Sequence, residues 1–196
     1  MLKRWQKIVG VSFLSLALLA ACGTSDDEET AGGDEASDEF TVGISQYVTH
    51  PSLDEATKGF KQAIEDSGLN VEFLDQNAQG DSNNAATIAQ NLVSDDVDLI
   101  FANATPSAVA AMNATSEIPV VFTSVTDPVD AQLVSSVEEP GGNATGTTDS
   151  HPDAIPNTIN FINDEMDVES VGVIYNAGEP NSVVQMNAVE EAVEGT

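Results

Sequence analysis

From Phe40 onward the chain alternates short apolar runs with longer stretches in which apolar residues recur every three or four positions. The short runs predict buried strands and the periodic stretches predict amphipathic helices. Residues 40–45 read as a strand, and residues 51–67 as a helix with Leu53, Ala56, Phe60, Ala63 and Ile64 on one face. Pro51 suits a first helical turn and Gly68 a stop. A second strand follows at 71–74. A helix over 82–94 comes next, capped by Asp81, with Ala85, Ile88, Ala89, Leu92 and Val93 as its apolar face. Residues 97–102 predict a third strand, 105–115 an alanine-rich helix, 119–123 a fourth strand and 129–134 a short helix. The loop Glu139-Pro140-Gly141-Gly142-Asn143 leads into a fifth strand at 145–148.

Strands that alternate with helices in this way form βαβ units around a parallel sheet, so the fold class is α/β. Residues 40–150 hold enough strands and covering helices for one complete lobe. After Ser150 a new unit begins: His151-Pro152 interrupts the path, a helix spans 154–163, a strand 170–175, and a last helix runs to about Glu194. One strand and its helices cannot close a core, so residues 151–196 read as a hinge and the truncated start of a second lobe.

The first 22 residues have a different texture. Lys3, Arg4 and Lys7 precede a mostly apolar stretch over 8–19, and Ala20 and Ala21 stand before Cys22. That order is a secretory signal, with an apolar stretch too short to span a bilayer. Leu19-Ala20-Ala21-Cys22 resembles the lipobox of bacterial lipoproteins, which implies cleavage before Cys22 and lipid on its sulfur. Cys22 is the one cysteine of the chain, so an internal disulfide is excluded. Residues 23–39 carry eight acidic side chains and no large apolar one, and read as a disordered tether between lipid and domain.

Charge narrows the partners. The chain has 33 acidic against 5 basic residues, a formal net charge of −28. Three of the basic residues precede Cys22, so a chain cleaved there carries 2 − 33 = −31. Such a surface repels phosphate backbones and anionic lipid, which excludes nucleic acid as a partner and suits a saline or alkaline medium.

Ligands of open α/β sheets bind beyond the carboxyl ends of the strands. Every loop there is rich in small hydroxyl, amide or carboxylate side chains: Gln46 to His50, Gln76 to Asp81, Ala104 to Ser107, Thr123 to Pro128, and Thr147 to Ser150. Hydroxyls and free amides at helix starts hold a carboxylate or another anionic head group. Taken singly these loops also read as ordinary turn and cap chemistry.

Six stretches together resemble a known family, the ABC-transporter substrate-binding proteins of the tryptophan/tyrosine type. They are Val42-Gly43-Ile44 with His50-Pro51-Ser52-Leu53-Asp54; Gln76 to Asp81; Asp98-Leu99-Ile100 leading to Ala104-Thr105-Pro106; Ile118 to Pro128; Pro140 to Gly146; and Tyr175-Asn176 with Asn181-Ser182. The resemblance implies a Rossmann-like first lobe of a two-lobe type I periplasmic-binding-protein fold, with a solute clamped between the lobes. It implies Thr105, Ser107, Thr126, Asp127, Thr148 and Asp149 as ligand contacts, Gln46 and Tyr47 as cleft lining, and Asn181 and Ser182 as contacts from the second lobe. An amino acid is the implied solute, aromatic ones included, with Asp127 or Asp149 facing its ammonium. The implied partners are an ABC permease and a lipid anchor at Cys22 on the outer face of the membrane, with the protein a monomer.

Other classes fit less well. A hydrolase of α/β type needs a G-x-S-x-G elbow, which is missing, and His50 and His151 read as helix starts beside their prolines. No clustered His or Cys supplies a metal site, and no glycine-rich phosphate loop precedes a helix, so no cofactor is expected. A sensor that presents its ligand to a membrane receptor or kinase shares the same capture physics and stays open as an alternative to import.

Overall fold

The computed structural model describes residues 39–166 and 168–194. The expected signal segment, the expected lipidation site Cys22 and the expected tether up to residue 38 lie outside the described residues.

Five strands form one parallel sheet: β1 (Phe40–Gln46), β2 (Val71–Asn77), β3 (Leu99–Asn103), β4 (Val120–Val125) and β5 (Ala144–Thr148). Their order is β2-β1-β3-β4-β5. The chain therefore winds outward from β1 to β2, crosses back over β1 to β3, and continues in the opposite direction. A topological switch point lies between β1 and β3, the place where open α/β sheets leave a crevice.

The winding reversal puts helices on both faces. The helices α2 (Ser82–Ser94) and α3 (Thr105–Ala114) cover one face. Ala85, Ile88, Ala89 and Leu92 from α2 and Ala108, Ala110 and Ala111 from α3 pack there on Ile100, Ala102, Val120 and Phe122. Alanines keep α3 close to the sheet and to α2. On the other face α1 (Pro51–Asp66) meets Val42, Ile44 and Phe101, and the rings of Phe60 and Phe101 stack 4.0 Å apart at 11°. Leu53, Ala56, Phe60 and Ile64 of its expected apolar stripe are half-buried, whereas Ala63 is exposed. His50 accepts the first-turn N–H of Ser52 through Nδ1, and Asp81 accepts from Asn83 and Asn84, so both helices start at the residues their caps predict.

Three expectations are corrected. Residues 129–134 form turns rather than a helix: the Pro128 carbonyl accepts from both Leu133 and Val134, and Gln132 sits at φ 57°, outside helical space. Residues 170–175 form no strand; Val171, Val173, Ile174 and Tyr175 are exposed, because no described strand lies beside them to complete a ladder. The third strand starts at Leu99 rather than at Val97, since Asp98 Oδ2 accepts the Thr41 N–H and ties off the entry to β3. Beyond Ser150, α4 (Ala154–Glu165) and α5 (Pro180–Glu194) pack on each other, and α5 touches α3. Ile159 is the one buried residue of α4, and α5 has none.

Candidate functional site

The carboxyl ends of β1 and β3 are tied together by side chains. Asn103 Nδ2 donates to the Leu53 carbonyl at 2.8 Å and to Thr57 Oγ1 at 2.9 Å. Thr57 donates to Gln46 Oε1 at 2.7 Å, and Gln46 Nε2 donates to Asp54 Oδ1 at 2.6 Å and to the Val48 carbonyl at 3.0 Å. The network pins α1 to the switch point. It also occupies both ends of the Gln46 amide, which the sequence assigns to the cleft.

The backbone loops interlock at the same edge. Tyr47 donates its N–H to the Asn103 carbonyl, Ala78 to Gln46, Gly80 to Tyr47, Ala104 to Thr123, and Asp149 to Val125. The Tyr47 ring is buried at 7% exposure, and its hydroxyl lies 2.9 Å from the Gly80 carbonyl and 3.3 Å from Glu179 Oε1.

Between β3 and α3 the chain turns through Ala104 at φ 88° and ψ 154°, a conformation nearly reserved for glycine. That turn brings Thr105 and Ser107 into the first turn of α3, buried at 2% and 0% exposure. Thr105 Oγ1 accepts the Thr126 N–H at 3.4 Å, which joins the β3 and β4 ends. Ser107 Oγ, Ser45 Oγ and Asn103 Oδ1 are buried without a hydrogen-bond partner. Buried oxygens left unpaired are costly; Ser45 and Asn103 stand near the carboxyl ends of β1 and β3, and Ser107 in the first turn of α3.

The remaining assigned residues are spread around this centre. Thr126 and Asp127 are half-buried, and Asp127 Oδ1 accepts from Val129 and Asp130 at 2.9 Å each, so it organises its own turn. Thr148 and Asp149 are exposed at the end of β5. Asn181 and Ser182 stand in the first turn of α5; Asn181 Oδ1 is buried and unpartnered, and Ser182 donates its N–H to the Glu179 carbonyl. His151 accepts the Asp153 N–H at the approach to α4. Among the described residues no group of three or more His, Cys, Asp or Glu side chains is arranged to hold a metal ion.

Asn103 and Glu179 were not assigned to the site from the sequence, and Ala104 was named only as part of a strand-end loop. A polar residue closing the apolar run of β3 is a signal for Asn103. Glu179 carries no comparable signal, because only the fold brings it to Tyr47.

A parallel α/β unit with hydroxyls at the helix start that follows β3 belongs to the class of folds that bind small ligands beyond the carboxyl ends of their strands. The chain belongs to the ABC transporter substrate binding protein family, whose model matches residues 41–195. It is 40% identical over 197 residues to a tyrosine-binding protein of Clostridioides difficile (strain R20291), covering 96% of this chain and 56% of that protein. The structure is similar to a conserved domain protein of Vibrio cholerae at a TM-score of 0.74 and 37% identity, covering 80% of this chain and 54% of that one. It is also similar to an ABC domain in complex with L-Trp from Streptococcus pneumonia, at a TM-score of 0.74 and 32% identity, covering 81% and 54%. The chain thus spans about half the length of the relatives it matches.

Proposed function

We propose that this chain carries the solute-recognising first lobe of an extracytoplasmic, lipid-anchored binding protein that delivers an amino acid to an ABC permease. One observation carries the reading: Ser107, wholly buried with its hydroxyl unpaired, in the first turn of α3, the helix that follows β3 at the switch point. Free N–H groups and hydroxyls at a helix start suit the carboxylate of an amino acid. Thr105, two residues before Ser107, accepts the Thr126 N–H and so ties the start of α3 to the end of β4. The aromatic preference is supported by the tyrosine- and L-Trp-binding relatives, and the role of a carrier rather than a catalyst by the family as a whole.

Residues 40–150 act as the folded lobe in this reading, and 151–196 as the hinge and first part of a second one. The sparse burial of α4 and α5 supports the division. Hydrogen exchange tests it: slow amides within 40–150 and fast ones within 151–196 are expected, and uniform protection would overturn it.

Binding is tested by ligand-observed NMR titration with L-tyrosine and L-tryptophan, which detects dissociation constants into the millimolar range. Saturable binding that Ser107→Ala weakens at least tenfold is expected. Binding indifferent to Ser107 would remove the site, and no binding of either amino acid would remove the reading. The anchor rests on the Leu19-Ala20-Ala21-Cys22 order. Cys22→Ala is expected to leave the chain unprocessed or released from membranes, and unchanged processing and retention would exclude it.

A further inference from the structure

Residues 170–175 run without a turn, and among the described residues none of their backbone N–H or carbonyl groups takes part in a hydrogen bond. Exposure along the run alternates. Val171, Val173 and Tyr175 keep 42%, 43% and 48% of their surface open, whereas Ile174 is 101% exposed and a β-carbon on Gly172 would meet nothing within 4 Å. That is the period of a β-strand, with one face shielded by its own chain and the other bare. The shielded face adjoins α4, where Val171 lines a groove with Ile159 and Ile162. Most of the large apolar side chains exposed among the described residues stand in the same region, between Phe161 and Val183.

An extended run with unpaired backbone edges is a template for another strand. Charge decides which strand can reach it. Ser170 to Gly178 carry no charge, in a chain whose formal net charge is −28. Two copies repel each other over most of their surface, and an uncharged stretch is where they can approach. The two free edges of the sheet are poorer sites. The edge strand β2 carries Glu72 and Asp75, and the edge strand β5 exposes threonines and a glycine, with no large apolar side chain to bury.

We propose that residues 170–175 pair antiparallel with the same residues of a second copy, about a two-fold axis through Val173, to give a dimer that forms where salt screens the carboxylates. This register sets Val173 opposite itself and Val171 opposite the partner's Tyr175, so the apolar side chains next to α4 meet on one face. On the other face Ile174 lies opposite the partner's Gly172, where there is open space for it. Glu169 falls opposite the partner's Ala177 rather than another carboxylate. A two-fold pairing of identical strands closes at two copies. The inference concerns self-association and is independent of which solute the chain binds.

Sedimentation velocity of the full chain, kept reduced so that Cys22 cannot link copies, tests it. A monomer is expected at ~1–10 mM NaCl and a growing share of dimer at ~1 M, as the Debye length falls to about 3 Å. Ile174→Lys sets a charge against the partner's Gly172. Val173→Pro removes an N–H from the ladder without breaking a bond of the monomer. Each is expected to weaken the dimer about tenfold or more. Leu69→Lys makes the same change of charge at an exposed apolar residue between α1 and β2, and is expected to leave the dimer within about twofold. A chain that stays monomeric at every salt concentration overturns the proposal. So does a dimer that either Ile174→Lys or Val173→Pro leaves intact, or that Leu69→Lys weakens equally. Species that grow beyond two copies would show head-to-tail addition, for instance onto the edge of β5, and overturn the two-fold pairing.

Discussion

Leu92 of α2 fills the space that a side chain on Gly43 of β1 would need: a β-carbon built on Gly43 meets Leu92 Cδ2 at 2.7 Å and Cδ1 at 2.9 Å. Leu92 is fully buried, so it has little room to yield. Gly43→Ala is expected to destabilise the lobe by about 1–3 kcal/mol through overpacking. Adding Leu92→Val should recover part of that loss, and chemical denaturation of the single and double variants measures the coupling. Additive losses would show that the contact is not the cause.

Thr57 carries the network that joins α1 to the ends of β1 and β3. Thr57→Val keeps the shape but leaves Gln46 Oε1 without its donor and Asn103 Nδ2 without one of its acceptors. A loss of about 1–3 kcal/mol is expected from these unsatisfied groups, measured by urea unfolding. Because the members act together, Thr57→Val and Asn103→Ala combined should cost less than their sum.

Ala104 sits at φ 88° between β3 and α3, where an L side chain is strained. Ala104→Gly should therefore stabilise the chain, by about 1 kcal/mol, against the usual direction for an alanine replaced by glycine. A lower melting temperature in the variant would contradict the strained turn.

Asp81 has a carboxyl held below its ordinary range by the N–H groups of Asn84 and Asn83. A lowered folded-state value means that the group favours folding when charged. Its contribution is complete at neutral pH and fades as pH falls through ~4 and past the folded-state value. Asp81→Asn, which still caps, should flatten that part of the acid unfolding profile, and Asp81→Ala should also lower the melting temperature at pH 7 by a few degrees. Identical acid profiles for native and Asp81→Asn proteins would refute the assignment.

The formal charge of −28 makes self-repulsion large in dilute buffer. The melting temperature is expected to rise between low and molar NaCl as the Debye length shrinks from about 30 Å to about 3 Å. A flat or falling trend would show that the charges are already spaced beyond mutual influence.

Apart from the helix expected at 129–134, the order of strands and helices up to Thr148, and the fold class that follows from it, were legible in the sequence. Ala85, Ile88, Ala89 and Leu92 recur at helical spacing, and the same four residues are buried in α2. Asp81 and His50 announce helix starts because a cap acts within three residues of its own position. These are interactions between neighbours along the chain, and a pattern of residues records them directly. The hydroxyls at the start of α3 were legible for the same reason, since Thr105, Pro106 and Ser107 are consecutive.

What only the tertiary structure decided depends on partners far away in the chain. The polar tail Asp75-Gln76-Asn77 belongs to β2 because it pairs with Ile44, Ser45 and Gln46 of β1, and residues 170–175 stay unpaired for want of such a neighbour. The Gln46 amide is spent on α1 rather than left open, and Glu179 reaches Tyr47 across 132 positions of sequence. Periodicity and capping report the local backbone. Which distant donor meets which acceptor is set by the path of the chain through the sheet, and that path came from the packing of α1, α2 and α3 on the two faces.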